Sequence, residues 1–379
     1  MNLERFSKAF QENFSTRDEV GASVSVWQHG REVANLASGF CDRVKTKPWT
    51  ASTLVLFWSA TKGLAASCVL HSLQRQGLSL ETKVCEFWPE FAQGGKEAIT
   101  VGQVLSHRAG LAALDSGVSV LDYAAVIDAL ERQVPLWPAG EVHGYHPRTI
   151  GFLMDEIVRR LNDGVTLGNY WREEFAEPLD LEVWIGLPKE KLERVAPVFA
   201  ARAQVVPQDH AFYDAFSDPE SLTFRAFMSP QGLNGASAMN TPGVRTASFP
   251  GFGGIGTASS LAKFYAMLAN GGELDGRRFF SESVLGWMKT TLTSGFDRVL
   301  QVDTAFSAGF MKDPQDAAGK KLRTTFGTST EAFGQPGAGG SVAFADPENG
   351  ISFAYVMNQM GPGVLPNEKS LALIDALYE

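Results

Sequence analysis

Cysteine is scarce in this sequence, with three residues among 379. Cys41, Cys68 and Cys85 are odd in number and show no Cys-x-x-Cys spacing. This argues against a paired disulfide framework and against the cysteine-based zinc sites that such spacings indicate. Cys68 lies in an apolar run with helical spacing, where a small buried thiol is the usual arrangement. We therefore expect three free thiols.

Clustered metal ligands are also absent from the sequence. The histidines show no His-Glu-x-x-His spacing and have no cysteine partners that would complete a zinc-ligand set. They are His29, His71, His107, His143, His146 and His210. We expect no metal site and no other cofactor.

Basic residues number 33 against 42 acidic ones, and the net charge is -9. Nucleic acids and anionic membranes favour clustered Lys and Arg, so neither is an expected partner, and a small molecule fits better. No apolar run reaches the roughly 18 residues that predict a membrane span. Residues 1–15 are interrupted by charges and lack the apolar core of a secretory signal. These absences predict a soluble, cytoplasmic protein, and they leave its oligomeric state unknown.

The two ends of the chain carry the clearest strand signals. Residues 22–39 alternate on either side of a turn, and residues 341–357 form two apolar runs separated by a cluster of turn residues, so each segment predicts a β-hairpin. Residues 3–14 and 367–378 have the apolar spacing of amphipathic helices. Each end of the chain therefore predicts one hairpin and one helix.

Between these ends the sequence is mostly helical, although residues 205–250 are rich in turn residues. Helical spacing occurs at 61–76, 101–106, 123–132 and 149–161. Strands at both termini that enclose a helical insert predict an α+β fold with one central antiparallel sheet assembled from distant segments. We expect a discontinuous sheet domain of residues 1–58 and 245–379, and a mostly helical domain of residues 59–244. The active site is expected between them.

Ser59 and Lys62 form a Ser-x-x-Lys tetrad at the start of the predicted 61–76 helix. Residues three apart share a helix face, so the Lys62 amine can reach the Ser59 hydroxyl. A helix N-terminus also offers unpaired N–H groups and a partial positive charge, which stabilise an oxyanion and favour a neutral lysine. A serine at this position is otherwise only an N-cap. The apolar run at 54–58 before the tetrad strengthens the interpretation as a nucleophile with its base.

Further motifs follow the tetrad in order. Ser-x-x-Lys is a signature of penicillin-binding proteins and β-lactamases, and it is accompanied by Leu-Ser-His-Arg-Ala-Gly-Leu at 105–111, Trp-Pro-Ala-Gly at 137–140, and Gly-Gln-Pro-Gly-Ala-Gly-Gly at 334–340. Over nearly the whole chain these motifs resemble the class C β-lactamase superfamily, and within it the carboxylesterases of family VIII. The resemblance implies a β-lactamase-like serine hydrolase fold and an enzyme that hydrolyses carboxylic esters without a cofactor.

The resemblance also implies the remaining catalytic roles. Tyr145 matches the family's tyrosine, and it is the best candidate for the general base if the Lys62 cation stabilises its phenolate. Either Tyr145 or Lys62 then takes the proton of Ser59. The oxyanion is expected to bind the N–H groups of Ser59 and Ala338, although a shift of one residue in register would substitute Gly339 for Ala338.

Substrate contacts are expected beside these motifs. The aromatic residues near the motifs are Phe57, Trp58, Trp137, Phe249 and Phe252, and we expect some of them to line an apolar pocket. The 334–340 turn contributes Gln335, Gly337 and Gly339. His146 adjoins Tyr145 and is a candidate for tuning its proton affinity or touching the acyl group. As a loop histidine, however, it is expected to face solvent.

Two positions depart from the β-lactamase pattern. Family β-lactamases have an Asn two residues after the tyrosine and Lys-Thr-Gly on the late strand, whereas this sequence has Pro147 and Gln335-Pro336-Gly337. A glutamine cannot pair with the carboxylate of a β-lactam as a lysine would. These differences predict short-chain, uncharged carboxylic esters as substrates.

Other functions on the same fold stay open, namely a β-lactamase or D-alanyl peptidase, an acyltransferase, and a non-catalytic ligand-binding relative. The last is disfavoured because Ser59, Lys62 and Tyr145 are all present. Residues 251–256 match Gly-x-Gly-x-x-Gly, but no strand precedes them as a dinucleotide-binding βαβ unit requires, so they predict tight packing. The sequence contains no Gly-x-Ser-x-Gly, which leaves an α/β-hydrolase fold unsupported.

Overall fold

The computed structural model describes residues 2–202 and 210–379. The helices are α1 Leu3–Thr16, α2 Thr61–Gln76, α3 Val101–Leu105, α4 Tyr123–Arg132, α5 Thr149–Leu161, α6 Leu167–Trp171, α7 His210–Ser217, α8 Leu222–Met228, α9 Ala236–Met239, α10 Pro242–Thr246, α11 Ala258–Ala269, α12 Glu282–Lys289 and α13 Glu368–Tyr378. The strands are β1 Gly21–Gln28, β2 Arg31–Gly39, β3 Val55–Leu56, β4 Val183–Ile185, β5 Gly254–Gly256, β6 Glu273–Leu274, β7 Arg277–Arg278, β8 Thr293–Phe296, β9 Asp303–Phe306, β10 Met311–Lys312, β11 Phe333–Pro336, β12 Val342–Asp346 and β13 Ile351–Met357.

Eight of these strands form one sheet in the order β2-β1-β13-β12-β11-β10-β9-β8. Every neighbouring pair is antiparallel. The N-terminal hairpin therefore pairs with the last strand of the chain, and Val24 lies opposite Tyr355. This confirms the predicted α+β fold with a sheet assembled from both termini. The division into residues 1–58 with 245–379 and residues 59–244 stays a prediction.

Strand β13 is buried along its whole length because helices cover both faces of the sheet. Successive side chains of a strand point to opposite faces. Ala354 and Val356 accordingly join the core that includes α11, whereas Phe353 and Tyr355 join the core that includes α1 and α13. Each large apolar side chain that is fully buried in this way stabilises the fold by about 1.5–3 kcal/mol.

A second, three-stranded sheet in the order β3-β5-β4 supports the start of α2. Val55 pairs with Gly256, and the Phe57 N–H donates to the Gly254 carbonyl at 3.1 Å. A Cβ at Gly254 would lie 2.4 Å from the Phe57 ring, so only glycine fits there. The tight packing predicted for residues 251–256 is confirmed at Gly254. This glycine packs against Phe57, where the chain turns from β3 into the Ser59 segment.

The elements predicted at the two ends and in the helical region are confirmed, with bounds that differ by at most a few residues. Residues 205–250 differ from the predicted turn-rich segment. Residues 203–209 lie outside the described residues, but four short helices, α7 to α10, follow them. The three cysteines are free thiols, as expected. Within the described ranges, we find no helix with the length and hydrophobicity that a bilayer crossing requires.

Candidate active site

Ser59 lies in a 3₁₀ turn, Trp58–Ala60, that joins β3 to α2. Trp58 has a φ of +50°, in the left-handed region that non-glycine residues rarely occupy. The Thr61 hydroxyl donates to the Trp58 carbonyl and accepts from the Gly254 N–H at 2.8 Å. These bonds hold the turn in its strained conformation, and strain of this kind is typical of functional sites.

Lys62 is 2% exposed, and its amine contacts three oxygens. Its Nζ is 3.1 Å from the Ser59 Oγ, and it donates to the Pro147 carbonyl at 2.8 Å and the Gly251 carbonyl at 2.6 Å. Burial lowers the pKa of Lys62 well below its usual range, and no carboxylate among the described residues pairs with it. A neutral amine keeps two N–H donors for the two carbonyls, which leaves its lone pair for the Ser59 hydroxyl.

Tyr145 faces the same serine from the other side. Its hydroxyl lies near the Ser59 side chain, and the Gln335 Nε2 lies 3.5 Å from it. The Lys62 Nζ lies 4.9 Å from the centre of the Tyr145 ring. Burial raises the pKa of Tyr145, so the phenolate that the sequence suggested as the base is disfavoured. The opposite pKa shifts favour a neutral Lys62 beside a protonated Tyr145.

His146, next in the chain, is fully buried, so its predicted exposure to solvent is wrong. Its Nδ1 donates to the Gly144 carbonyl at 2.6 Å, and its Nε2 accepts from the Leu111 N–H at 2.9 Å. Burial lowers the pKa of His146 to about 4, which keeps the ring neutral. Both ring nitrogens are therefore used within the fold and unavailable to an acyl group. The His146 N–H also donates to the Nδ1 of His107 at 3.1 Å, which ties the 105–111 segment to Tyr145.

The turn after β11 leaves the Ala338 N–H group available. Gly337 donates to the Ser341 carbonyl at 2.7 Å, Gly339 to the Gly363 carbonyl at 3.1 Å, and Gly340 to the Gly337 carbonyl at 3.2 Å. Among the described residues, the N–H groups of Ala338 and Ser59 have no acceptor. The register alternative at Gly339 is thus disfavoured, because its N–H is already used.

Close backbone approach brings this turn to the nucleophile. A Cβ at Gly337 would lie 2.2 Å from the Phe57 carbonyl oxygen, so no other residue fits without moving the turn. Ala338 and Ser59 both line the same cavity. The arrangement offers two N–H donors to the oxygen of a carbonyl group that Ser59 attacks.

The cavity at Ser59 has a volume of about 600 Å³. Of the residues expected to contact substrate, Trp58 and Phe252 line it, together with Tyr145 and Pro147. The cavity lining does not include the following expected residues: His146, Gln335, Gly337, Gly339, Phe57, Trp137 and Phe249. Gln335 is buried against the Tyr145 hydroxyl instead. The two glycines shape the turn that presents Ala338.

An aromatic wall that sequence reasoning missed forms another part of the cavity. Phe212 and Phe216 of α7 stack with ring centres 5.7 Å apart, and Phe227 of α8 packs edge-on against both. Tyr213 also lines the cavity, and its hydroxyl accepts from the Gly363 N–H at 2.9 Å. The apolar spacing within 210–228 carries this signal, but it was obscured by the surrounding turn residues. Within the described ranges, no group of three or more His, Cys, Asp or Glu residues could hold a metal ion.

Known proteins resemble this chain over nearly its whole length. The beta-lactamase family model matches residues 6–377. The esterase/beta-lactamase LipL of Mycobacterium tuberculosis is 33% identical over 372 residues, covering 93% of this chain and 80% of that protein. A penicillin-binding protein homologue from Caulobacter crescentus superposes with a TM-score of 0.85 at 35% identity, covering 99% of this chain and 96% of that one. A family VIII carboxylesterase superposes with a TM-score of 0.86 at 32% identity, covering 98% and 96%. The chain therefore belongs to the beta-lactamase family and is a serine hydrolase.

Proposed function

We propose that this protein is a serine carboxylesterase that hydrolyses uncharged carboxylic esters through an acyl-enzyme on Ser59. One observation carries the proposal: the Ser59 hydroxyl lies 3.1 Å from a buried lysine amine, in a cavity lined mainly by apolar side chains. LipL, which is named as an esterase/beta-lactamase, and the family VIII carboxylesterase support ester hydrolysis. The penicillin-binding protein homologue keeps a peptidase or β-lactamase activity as the second candidate.

Acylation begins at Ser59. Its oxygen forms a bond to the ester carbonyl carbon while its proton passes to the neutral Lys62 amine. The carbonyl oxygen, now negative, accepts hydrogen bonds from the N–H groups of Ser59 and Ala338. The bond to the alcohol then breaks, and the Tyr145 hydroxyl gives its proton to the departing oxygen. The Lys62 ammonium returns a proton to Tyr145, so both side chains are neutral again.

Deacylation uses the same side chains, with the proton transfers in reverse order. Water attacks the acyl carbon, and one of its protons passes to the Lys62 and Tyr145 pair. The bond to Ser59 then breaks, and the Ser59 oxygen takes that proton back. The net reaction converts one ester and one water into an acid and an alcohol, and no cofactor takes part.

The proposed base has a consequence for pH dependence. Lys62 accepts a proton only when it is neutral, and burial lowers its pKa. We therefore expect kcat/KM for a neutral ester to rise with pH and to reach its plateau well below the usual pKa range of lysine. A pH profile of kcat/KM measures this, and a rise centred near the ordinary lysine pKa would contradict Lys62 as a buried base.

Substrate preference follows from Gln335 and Pro147, which occupy the positions of a Lys and an Asn in β-lactamases. Each missing contact to a β-lactam costs about 1.5–3 kcal/mol if it is charge-assisted and less if it is neutral. Uncharged esters, of which short-chain ones are the smallest, need neither contact. We expect kcat/KM for a short-chain p-nitrophenyl ester to exceed that for nitrocefin by at least about a hundredfold, taking the two losses as additive.

Substitution at Gln335 tests the cause of this preference. Gln335→Lys adds an ammonium beside the Tyr145 hydroxyl. It should improve nitrocefin turnover and so reduce the ratio of kcat/KM for the ester to kcat/KM for nitrocefin. Gln335→Met, which removes the amide without adding charge, is the matched control and should leave nitrocefin turnover poor. If the unmodified protein turns over nitrocefin as well as the ester, the β-lactamase alternative replaces the esterase proposal.

A further inference from the structure

Asp297 is a buried carboxylate directly behind Tyr145. It follows strand β8, its side chain is fully shielded from solvent, and no cation among the described residues pairs with it within 4 Å. Its Oδ1 accepts from the N–H groups of Tyr145 at 3.0 Å, Val299 at 2.9 Å and Leu300 at 2.9 Å. A buried carboxylate without a cation is costly unless hydrogen bonds satisfy it, and here backbone donors do so.

Hydroxyl and imidazole groups extend the hydrogen-bond network of Asp297. The Thr304 hydroxyl lies 3.1 Å from Asp297 Oδ2 and 2.9 Å from the Nε2 of His143, and the Nδ1 of His143 lies 3.0 Å from the Thr293 hydroxyl. The backbone of the same loop also contacts the Tyr145 segment, because the Arg298 N–H donates to the His143 carbonyl at 3.3 Å. The loop between β8 and β9 is thus joined to the Tyr145 segment through side-chain and backbone bonds.

We propose that Asp297 is a positioning residue that holds Tyr145 at Ser59 as a proton donor, by accepting the hydrogen bond of the Tyr145 N–H. This inference rests on the proposed function. Asp297 touches neither Ser59 nor the cavity, so it acts through Tyr145 alone. The Tyr145 ring also stacks on Phe306 of β9 with a ring separation of 6.3 Å. The backbone anchor and the stacked ring together fix the direction of the phenol.

The Asp297 charge favours a protonated Tyr145, as a proton donor requires, and so it supports the role that the geometry suggests. Burial is the main cause that raises the pKa of Tyr145, and the Asp297 carboxylate adds to it. The titratable and charged groups around this pair are Lys62 of α2, His107 of the 105–111 segment, His143 and His146 of the Tyr145 segment, Arg108, and Arg298 and Asp303 of the β8–β9 loop. Burial lowers the pKa of His107, His143 and His146. These three rings are therefore neutral near pH 7.

The leaving group separates a proton-donor role from a structural one. Ethyl butyrate releases an alkoxide that needs a proton, whereas p-nitrophenyl butyrate releases a stable phenolate, and both form the same butyryl-enzyme. We expect Asp297→Ala to lower kcat/KM for the ethyl ester at least about tenfold more than for the p-nitrophenyl ester, as expected when a general acid is displaced. Tyr145→Phe should show the same discrimination, and more strongly.

Asp297→Asn isolates the charge. Its amide oxygen can keep the three backbone donors, and its NH₂ group can donate to Thr304, which then donates to His143. The anchor on the Tyr145 N–H therefore remains, while the negative charge is lost. We therefore expect Asp297→Asn to keep the unmodified ratio of the two ester rates, in contrast to Asp297→Ala. The control is Asp155→Ala, which removes another buried carboxylate that accepts a backbone N–H, on α5 and outside the cavity.

The outcomes are distinct. If the unmodified protein hydrolyses neither ester, the proposed function fails. If it hydrolyses both but Asp297→Ala slows both by one factor, as a loss of folded protein would, the positioning role is overturned. If Asp297→Ala does not fold, Asp297→Asn decides, because it keeps the acceptor for the Tyr145 N–H, and a ratio of the two ester rates that shifts as it does in Tyr145→Phe overturns the proposal. Asp155→Ala should keep the unmodified ratio of the two ester rates.

Discussion

Ser59→Ala should abolish ester hydrolysis and leave the fold intact, with a loss of kcat/KM of at least about a thousandfold. The hydroxyl is the proposed nucleophile, and no other group can form the acyl-enzyme in its place. It makes no helix-capping hydrogen bond in the turn before α2, so its removal costs less stability than the roughly 1 kcal/mol of an N-cap. Hydrolysis of p-nitrophenyl butyrate and the thermal unfolding midpoint are the measurements.

Ser67→Ala is the matched control for this variant. Ser67 lies on the same helix, is fully buried, and donates to the Gly63 carbonyl at 2.9 Å. The Ser67→Ala variant should therefore keep the esterase activity, while its thermal unfolding midpoint falls slightly. Activity of Ser59→Ala within about tenfold of the unmodified protein would remove Ser59 from the mechanism.

Lys62→Ala and Tyr145→Phe should each lower kcat/KM for the ethyl ester by about 10²–10⁴, the usual contribution of a proton-transfer group. Both side chains lie beside the Ser59 hydroxyl, and in the proposed mechanism they move one proton between them. The double variant should therefore be only slightly less active than the less active of the two single variants, because the effects of groups that act as a unit are not additive. Steady-state kinetics of all four proteins measure this.

Lys96→Ala controls for the loss of a buried lysine. Its ammonium also donates to three backbone carbonyls, those of Gln93, Glu131 and Gln133, but it lies outside the cavity. We expect it to be less stable and still active. Losses at Lys62 and Tyr145 that multiply fully in the double variant would mean that the two side chains act in independent steps.

Much of the fold could be predicted from the sequence because the local apolar and turn patterns match the strands and helices that form. Fully buried β13 reads as a continuous apolar run from Ile351, and the turn residues before it end β12 at Asp346. Helix α2 follows the apolar spacing of 61–76 and ends at Gly77, which has a φ of +67°. The order of the eight strands could not be read from these patterns, because pairing partners are distant in the chain, and only the structure gives it.

The candidate site was predictable where chemistry lies within one turn, as it does for Ser59 and Lys62. Contacts that depend on distant segments were not. The exposure of His146 was mispredicted because the Leu111 N–H, whose hydrogen bond its Nε2 accepts, comes from a distant segment. Asp297 gave no sequence signal, since a single Asp after a strand is typical of an ordinary turn. The aromatic wall of α7 and α8 was missed because short helices have few residues from which to read a period.

The mass of the covalent adduct tests the central claim most directly. A p-nitrophenyl alkylphosphonate forms a serine adduct that water does not readily release, so digestion and mass spectrometry locate the attacked residue. We expect loss of esterase activity in step with one added phosphonyl group, carried only by the peptide that contains Ser59, and no adduct in Ser59→Ala. An adduct on another residue, or inactivation without an adduct on Ser59, would contradict the acyl-enzyme mechanism proposed for this protein.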